Sequence, residues 1–445
     1  MMRSILSPAI LTLSLVTLLV ASVHDRVHAG EPASAYTLVR NGLLIDGTGA
    51  EPVSGGAVLM KGASIEAAGA LSEIEIPSGD VRIIDAEGAT ITPGFIDAHV
   101  HLVSGEGDLF QFALGTDWSY KVLRAAENAT NTLEAGVTTV RDLQGSPPGL
   151  KQAIREGLIP GPRIQLSVTG IGGTAGHTDF EMPSGVDVVP TLYPPGAPRP
   201  RADGPDEVRT RARQIVRAGS EVIKLWANGG LATPHDQPQY IGLSIEEMQA
   251  AARVATDYER PLAIHAEGLL GIMNAIAVKP QSIEHGFYLD KKAARAMAKA
   301  KIILVPTAVF VSQPTAGLPA YFRMKLEEAR AAAREGFQHS LKAGVKIAMG
   351  TDTGYGPRHG DNLRELGVYV RWGMKPMDAI VAGTKNAAEA LGWDDRIGTL
   401  EPGKLADLVI VRGNPIDDID LLAEKSNILV VMKGGKVVKD RRASD

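Results

Sequence analysis

The chain has 445 residues, of which 44% are hydrophobic and 22% are charged, and its formal net charge is −5. This weak negative charge argues against nucleic acid or an anionic membrane surface as a partner. The chain contains no cysteine. Disulfides, cysteine nucleophiles and thiolate metal sites are therefore excluded, and a tight metal site would need His, carboxylate or modified side chains.

Residues 1–29 have the pattern of a secretory signal peptide. Arg3 provides a positive charge, Ile10–Val20 is an apolar run, and Val27–Ala29 fits a cleavage site with small residues. An uncleaved membrane anchor is the alternative, but a run of about a dozen apolar residues is shorter than the roughly 20 that a span needs. We predict cleavage after Ala29 and a secreted or periplasmic protein with no stable membrane span.

Both ends of the predicted mature chain consist of short strand-like runs separated by Gly, Ser and Pro. Residues 30–91 and 393–445 share this pattern, as in Ala57–Met60 and Ile428–Met432. Two β-rich ends on either side of one long middle segment predict a small β-sandwich domain built from both termini.

Residues 92–392 alternate between apolar strand-like runs and amphipathic helical patterns such as Pro205–Ala218 and Met377–Leu391. Eight such strand–helix units over about 300 residues predict a (β/α)8 TIM barrel, with a doubly wound sheet as the alternative fold. After the run that ends at His101, the strand-like runs are Thr138–Arg141, Arg163–Val168, Glu221–Lys224, Leu262–His265, Ser282–His285, Ile302–Pro306 and Lys346–Met349.

A long insertion, Thr169–Gly204, follows the third strand-like run and is rich in Gly and Pro. Loops of this length in compact domains are usually lids, binding loops or disordered segments. We predict that it partly covers the functional site.

Two histidines, His99 and His101, stand two residues apart at the end of the first run. Side chains at positions i and i+2 of a strand point to the same face, so both imidazoles can reach one metal ion. Because catalytic residues of a barrel gather at the carboxyl ends of its strands, residues that end other runs are expected at the same place. These residues are Lys224, His265, His285 and, after the eighth run, Asp352.

Each of these residues also has a purely structural interpretation. A single histidine at a strand end is more often a core or surface residue than a ligand, and Asp352 could cap the next helix. Lys224 is harder to explain in this way, because an unpaired ammonium is costly to bury. Of the ten histidines, two lie in the predicted signal peptide, and four of the other eight end strand-like runs, which favours a shared site.

The chain resembles the amidohydrolase superfamily over essentially its whole mature length. The motifs that carry this resemblance are Pro93–His101, Val222–Lys224, Ile264–Ala266, Ile283–Gly286, Gly350–Asp352 and Gly398–Ile410. The last of these resembles the return of the family's chain into its small β-sandwich.

The resemblance implies a binuclear metal centre, usually of zinc. His99, His101 and Asp352 would hold the first metal ion, and His265 and His285 would hold the second. Lys224 would bridge both ions as an N-carboxylated side chain. A hydroxide bridging the two ions would attack the scissile carbonyl, and Asp352 would transfer the proton to the leaving amine.

Three further segments resemble the branch that contains Xaa-Pro dipeptidases, Xaa-Arg/Lys carboxypeptidases and ochratoxin-type amidases. They are Val140–Asp142, Gly172–His177 and His359–Leu366. Members of this branch cleave an amide next to a free C-terminal carboxylate, so the resemblance implies dipeptides or N-acyl amino acids as substrates.

The same resemblance suggests three substrate-binding residues. His177 could polarise the substrate carbonyl, with local bonding in its loop as the alternative. Arg141 could pair with the substrate carboxylate through its planar fork, or form a structural ion pair with Asp142 or Glu134. His359 is the third candidate.

The chain departs from the branch at Glu267, where members often carry an aromatic residue or His two residues after the fifth-strand histidine. Here the run is His265-Ala266-Glu267-Gly268. Glu267 could shift specificity toward a substrate with a basic group, which puts a strict prolidase assignment in doubt.

Three functions remain open from the sequence. The preferred one is a metal-dependent amide hydrolase acting on small molecules. The second is a lactonase or organophosphate triesterase with the same centre, and the third is a non-enzymatic binding protein, which would be expected to have lost ligands. The resemblance also implies a homo-oligomer.

Overall fold

The structure is a computed structural model that describes residues 36–105, 109–181 and 184–442. The predicted signal peptide and its cleavage site lie outside these residues. Among the helices of the described ranges, none combines the length and the hydropathy that a membrane crossing requires.

Strands and helices alternate along most of the described chain. The strands are β1 Tyr36–Leu44, β2 Val53–Lys61, β3 Ser64–Ala70, β4 Val81–Asp85, β5 Thr90–Pro93, β6 Phe95–Val100, β7 Val137–Asp142, β8 Arg163–Leu166, β9 Ile223–Trp226, β10 Leu262–Ala266, β11 Ser282–His285, β12 Ile303–Val305, β13 Leu408–Val411, β14 Ile428–Lys433 and β15 Lys436–Asp440. The helices are α1 Leu109–Gly115, α2 Trp118–Glu134, α3 Pro148–Arg155, α4 Val189–Leu192, α5 Pro205–Arg217, α6 Ile245–Asp257, α7 Leu269–Val278, α8 Lys291–Ala300, α9 Ala308–Ser312, α10 Ala320–Ala343, α11 Arg364–Arg371, α12 Pro376–Ala382 and α13 Lys385–Leu391.

Strands from both ends of the described chain pair within one eight-stranded sheet. Its order is β15-β14-β13-β5-β1-β2-β3, and β4 pairs with β1. The link between the two ends is the antiparallel pairing of β13 with β5, in which Val409 lies opposite Thr92. A separate apolar cluster, which includes Val58, Ile91 and Met432, packs on this sheet. Whether this region is a β-sandwich stays a prediction.

Two parallel sheets form the middle of the chain, with orders β6-β7-β8 and β12-β11-β10-β9. Every residue of β6, β7 and β9–β12 is buried. Parallel strands with helices on their faces are buried on both sides, which explains these continuous apolar runs. Single bridges connect the two sheets, one from Ile171 to Leu225 and others through the segment after α10.

The prediction of an eighth strand at Lys346–Met349 is wrong, because this segment does not form a strand. Only an isolated bridge between Ile347 and Leu304 is present there. The segment is nevertheless bonded on both sides, because the amide of Ala348 donates to Leu304 and the amide of Ala98 donates to Met349. A fully closed eight-stranded barrel stays a prediction, whereas the mixed α/β architecture is observed.

The predicted helix Pro205–Ala218 is present as α5. A capping box begins α6, since the Ser244 side chain accepts from the Glu247 amide and the Glu247 side chain accepts from the Ser244 amide. The predicted helix Met377–Leu391 is instead two helices, α12 and α13. They are separated at Gly383 and Thr384, and Thr384 has non-helical backbone angles, with φ −130° and ψ −93°.

Candidate metal centre

The six predicted ligands lie in one cleft at the carboxyl ends of the parallel strands. The space within it that a water molecule can reach is about 40 Å³. His99 lies near the end of β6, His265 lies on β10, and His285 ends β11. The fourth strand lies further along the chain than predicted, because β9 does not end at Lys224 but continues two residues to Trp226. The complete set of predicted ligands that line the cleft is His99, His101, Lys224, His265, His285 and Asp352.

The side chains approach one another closely enough to share metal ions. Asp352 Oδ1 lies 3.1 Å from Nε2 of His101 and 3.7 Å from Nε2 of His99. The ring centroids of His265 and His285 are 4.6 Å apart. Two groups have donor atoms that all lie within 4.8 Å of one another, namely His99 with His285 and Asp352, and His265 with Glu267 and His285.

One ring nitrogen of each imidazole is hydrogen-bonded to another group of the protein, and the other ring nitrogen is left for a ligand in the cleft. In metal sites, such partners fix the tautomer and the orientation of the ring. The partner of His99 Nδ1 is the Glu284 carboxylate at 2.9 Å, and that of His285 Nδ1 is Thr307 Oγ1 at 2.8 Å. The other two rings are hydrogen-bonded to backbone carbonyls. His101 Nδ1 lies 3.4 Å from the Gln144 carbonyl oxygen, and His265 Nε2 lies 3.3 Å from that of Gly229.

Burial keeps His99, His265 and His285 neutral, which is the form that binds metals. Desolvation holds the pKa of His99 and of His265 well below the usual value, and it lowers the pKa of His285 to about 3. His285 and Asp352 also have left-handed backbone conformations, with φ of 73° and 57°. Such conformations are costly for residues with a Cβ and cluster at functional sites.

Asp352 has an oxygen without a well-aligned hydrogen bond. The residue is 6% exposed, and its Oδ1 is unpaired although His101 is near. Burial would raise the pKa of the carboxyl, but the neighbouring imidazoles of His99 and His101 outweigh burial and lower it. The carboxylate is therefore ionised and free to accept a proton or a cation.

Lys224 is a buried amine without a partner among the described residues. It is 1% exposed, and the nearest recorded interaction of its Nζ is with the Trp226 ring, whose centroid lies 5.4 Å away. Burial lowers the pKa of this lysine to about 8. A deprotonated amine is nucleophilic, so this environment suits covalent modification of the side chain.

The donor set fits divalent metal ions. Four imidazoles and a carboxylate with an unpaired oxygen face one cleft, and these are the nitrogen and oxygen ligands that zinc and similar ions accept. The hydrogen bonds behind the imidazoles complete the arrangement that metal-binding histidines normally have.

Arg141 does not lie in the cleft, contrary to its predicted role in binding a substrate carboxylate. Its side chain is 0% exposed and donates to Glu284 at 2.8 Å, to the Ala98 carbonyl at 2.6 Å and to Ser282 at 3.0 Å. The alternative ion-pair partners, Asp142 and Glu134, are also wrong, because the partner is Glu284 on β11. Arg141 therefore holds the carboxylate that in turn holds His99.

Like Arg141, several other buried charged residues lie behind the cluster. We call this group of residues the supporting layer. Asp97, for example, accepts from the amides of His99 and Thr351, from the Thr351 hydroxyl and from Asn362. The supporting layer consists of Asp97, Arg141, Asp142, Glu284 and Glu365.

His359 also lies behind the cluster and does not line the cleft. Its Nε2 is 3.1 Å from the His101 carbonyl oxygen and its Nδ1 is 3.1 Å from Thr132 Oγ1. Both ring nitrogens are thus engaged by the protein, which contradicts the predicted role in binding substrate. The residue instead stabilises the backbone at His101.

His177 reaches the cleft from the long insertion. Its ring stacks on that of His265 with centroids 4.7 Å apart, and its Nδ1 lies 3.0 Å from Asp236 Oδ2. Asp236 is 1% exposed and also lies near Lys325, at 3.6 Å. The ammonium of Lys325 donates to the carbonyls of Gly230, Thr233 and Asp236, which organises the loop after β9.

Sequence reasoning missed Asp236 and Lys325 as well as the apolar lining of the cleft. Asp236 lies in an irregular loop, and Lys325 is one lysine in a long amphipathic helix, so neither has a local signal. The apolar lining consists of Phe180, Trp226, Phe310 and Tyr355. Phe180 and His177 both belong to the insertion, which thus forms part of the cleft wall.

Glu267 lines the cleft beside His265. It is 3% exposed, its Oε2 has no hydrogen-bond partner, and its Oε1 is 3.4 Å from the Leu231 amide. Burial raises the pKa of this carboxyl well above the usual range. Among the described residues, the buried carboxylate oxygens without a hydrogen bond are Glu267 Oε2 and Asp352 Oδ1, and both residues line the cleft.

The sequence and the fold match known hydrolases. An ochratoxinase from Aspergillus niger is 33% identical over 434 residues, which cover 93% of this chain and 88% of that protein. The crystal structure of A. niger ochratoxinase superimposes with a TM-score of 0.82, at 30% identity, over 92% of this chain and 97% of that one.

A crystal structure of a Xaa-Pro dipeptidase with methionine bound in its active site superimposes with a TM-score of 0.81. Its sequence is 32% identical, and the match covers 91% of this chain and 100% of that one. The sequence profile of the amidohydrolase family matches residues 90–438. The chain therefore belongs to the amidohydrolase family, and the family together with these relatives supports a hydrolase that acts on amide bonds.

Proposed function

We propose that this protein is a metal-dependent hydrolase that cleaves the amide bond of dipeptides or N-acyl amino acids with a free carboxylate. The observation that carries the proposal is the convergence, in a single cleft, of four imidazoles, one carboxylate and one lysine without a hydrogen bond among the described residues. The similarity to an ochratoxinase and to a Xaa-Pro dipeptidase supports this substrate class.

We assign two divalent ions, zinc by preference, to the cluster. His99, His101 and Asp352 would hold one ion, and His265 and His285 would hold the other. When bound, such ions polarise a carbonyl and lower the pKa of water toward neutrality. Lys224 would bridge them after its neutral amine adds carbon dioxide, which forms a carbamate and releases one proton. This reaction replaces a poorly solvated amine by an oxygen ligand.

Asp352 is the residue that we assign to proton transfer. Its unpaired Oδ1 can accept the proton of the attacking water, and the same carboxyl can then donate it to the nitrogen of the leaving amine. The lowered pKa means that the residue begins the reaction in its ionised form.

His177 is the residue that we assign to the substrate carbonyl. Asp236 engages its Nδ1, which leaves Nε2 for a hydrogen bond to the carbonyl oxygen as negative charge develops there. The aromatic residues of the cleft exclude water around the reacting groups, and this strengthens each polar interaction.

The test is an activity panel on purified protein with known metal content. We expect hydrolysis of at least one dipeptide or N-acetyl amino acid by protein loaded with zinc, and loss of activity after chelation that zinc restores. Lactones and phosphotriesters form the comparison set. Hydrolysis of lactones or phosphotriesters with no cleavage of any amide would overturn the proposal in favour of an esterase-type function.

A further inference from the structure

Glu267 has the properties of a binding group that lacks its ligand. A carboxylate buried without a hydrogen bond is costly, and proteins rarely retain one without a partner. The charged groups that act on it are Asp236, Asp352, Lys325 and Lys224. Within the described residues neither lysine forms an ion pair with it, and Lys325 already donates to three backbone carbonyls. The protein itself therefore leaves this carboxylate without a cationic partner in contact.

The position of Glu267 is held firmly although one of its carboxylate oxygens, Oε2, is unpaired. Its amide donates to Asn228 Oδ1 at 3.1 Å, and its carbonyl accepts from the Tyr288 amide at 3.0 Å. Asn228 is itself bonded to the Pro238 carbonyl at 2.6 Å. A fixed backbone with an unpartnered carboxylate in the cleft is what a preorganised binding residue requires.

The geometry argues against Glu267 as a metal ligand. Its Oε1 lies 3.9 Å from Nε2 of His265. This is the nitrogen that bonds the Gly229 carbonyl, so the nitrogen left for a metal is Nδ1, on the other side of the ring. Glu267 therefore lies beside the metal cluster, on the side of the cleft that is formed by the loop of His177.

A group bound by Glu267 must lie close to the reacting carbonyl. The donor atoms of His265, Glu267 and His285 are within 4.8 Å of one another. In a dipeptide, the α-nitrogen of the first residue is separated from the scissile carbonyl carbon by one atom, or about 2.5 Å from standard bond lengths. The terminal ammonium of a long basic side chain would extend well beyond this reach.

We propose that Glu267 binds the α-ammonium group of the substrate's N-terminal residue, so that the enzyme prefers dipeptides with a free amino group over N-acyl amino acids. This inference rests on the proposed amidohydrolase function and narrows its substrate class. The ammonium supplies the cationic partner that the carboxylate lacks. An acylated nitrogen is neutral and bulkier, and it leaves the carboxylate unpaired.

The test compares matched substrates with and without a free amine. Ala-Pro, Ala-Phe and Ala-Arg are assayed beside their N-acetyl derivatives with the wild-type protein and with Glu267→Gln. Charge-assisted hydrogen bonds are worth about twice neutral ones, so we expect kcat/KM of the wild type to be about 10-fold to 100-fold higher for the free dipeptide. Glu267→Gln should lose most of this preference, mainly through a higher KM for the dipeptide.

Two controls separate the possible outcomes. Glu246→Gln removes one exposed carboxylate from α6 and should leave the preference unchanged. Metal content and thermal stability of Glu267→Gln should match those of the wild type, and loss of metal would show that Glu267 is a ligand and overturn the inference. Equal cleavage of free and acetylated substrates by the wild type would also overturn it while leaving the amidohydrolase function intact. Failure to cleave any dipeptide or its derivative would overturn both.

Discussion

The residues that line the cleft and the supporting layer behind them are both buried, but their polar atoms are paired very differently. In the supporting layer, Asp97 accepts four hydrogen bonds, and Glu284 accepts from Arg141, Ser282 and His99. At the cleft, Glu267 and Asp352 each retain an unpaired oxygen. Unpaired polar atoms of buried carboxylates therefore occur where a ligand can supply the missing partner.

Two buried lysines show the same difference. Lys325 donates to three carbonyls and lies 3.6 Å from Asp236 Oδ1. Lys224, at 1% exposure, forms no hydrogen bond or ion pair among the described residues, and its Nζ lies 5.4 Å from the centroid of the Trp226 ring. The first lysine has a structural role that its contacts explain, whereas the second has no structural explanation without a modification or a ligand. We expect cleft substitutions to reduce activity and substitutions in the supporting layer to reduce stability.

The largest effect is expected for Lys224→Ala. Loss of a bridging ligand should remove the metal ions and reduce kcat/KM by about 1,000-fold or more, since metal ions supply several kcal/mol of transition-state stabilisation. The unfolding free energy of the metal-free protein should stay the same or rise, because a buried amine without a partner is removed. Metal analysis, kinetics and urea denaturation check this, with Lys346→Ala as a surface control. Full metal content with normal activity would contradict the bridging role.

Arg141→Met should act mainly on stability. It leaves Glu284 as an unpaired buried carboxylate, and removing one partner of a buried ion pair typically costs about 3–5 kcal/mol. Urea denaturation of the metal-free protein measures this loss. The double variant with Glu284→Gln should recover part of it, because the uncompensated charge is gone. A loss below about 1 kcal/mol would show that the pair does little for stability.

Asp236→Asn should reduce activity without removing the metal ions. A hydrogen bond to a charged group contributes about 1.5–3 kcal/mol, so we expect kcat/KM to fall about 10-fold to 100-fold as His177 loses its fixed orientation. The same measurement on His177→Ala and on the double variant is the control. If Asp236 acts through His177, the double variant should be no worse than His177→Ala, and full additivity would rule that out.

The smallest expected effect is the pH dependence of protein stability that results from Glu365. This carboxyl accepts from the amides of Ala308 and Val309, both at 2.6 Å, and burial raises its pKa to about 8. Between its ordinary pKa of 4.5 and about 8, the folded state holds a proton that the unfolded state has released. Stability from this group therefore falls as the pH rises through this range.

Glu365→Gln should abolish that contribution. We expect the difference in unfolding free energy between wild type and variant to shift by about 2 kcal/mol between pH 6 and pH 8, with the wild type losing more. Urea denaturation at both pH values measures it. A difference that does not change with pH would show that Glu365 is ionised in the folded protein.

Much of the site was predictable because strand periodicity and strand ends are local features. His99 and His101 are two residues apart on one strand, and the other predicted ligands end or follow similar apolar runs. All six side chains do line one cleft. The eighth run was placed correctly as a neighbour of β6 and β12, although it is not a strand.

Predictions that depended on the partner of a side chain were the ones that failed. Arg141 and His359 have the chemistry of substrate-binding residues, but Arg141 bonds Glu284, which lies 143 residues along the chain, and His359 bonds the His101 carbonyl, 258 residues away. Asp236 and Lys325 were missed for the same reason. Their importance lies in contacts between distant segments, for which no local pattern exists.

The sequence by itself determined the chemistry of the centre: no cysteine, a pair of chelating histidines, and His, Lys and Asp at the ends of apolar runs that also match the family motifs. These features depend on residue type and on spacings of a few residues. Only the tertiary structure decided which polar atoms are paired and which face the cleft unpaired. That distinction depends on burial and on long-range contacts, and it separates Glu267 from Glu284 and Lys224 from Lys325.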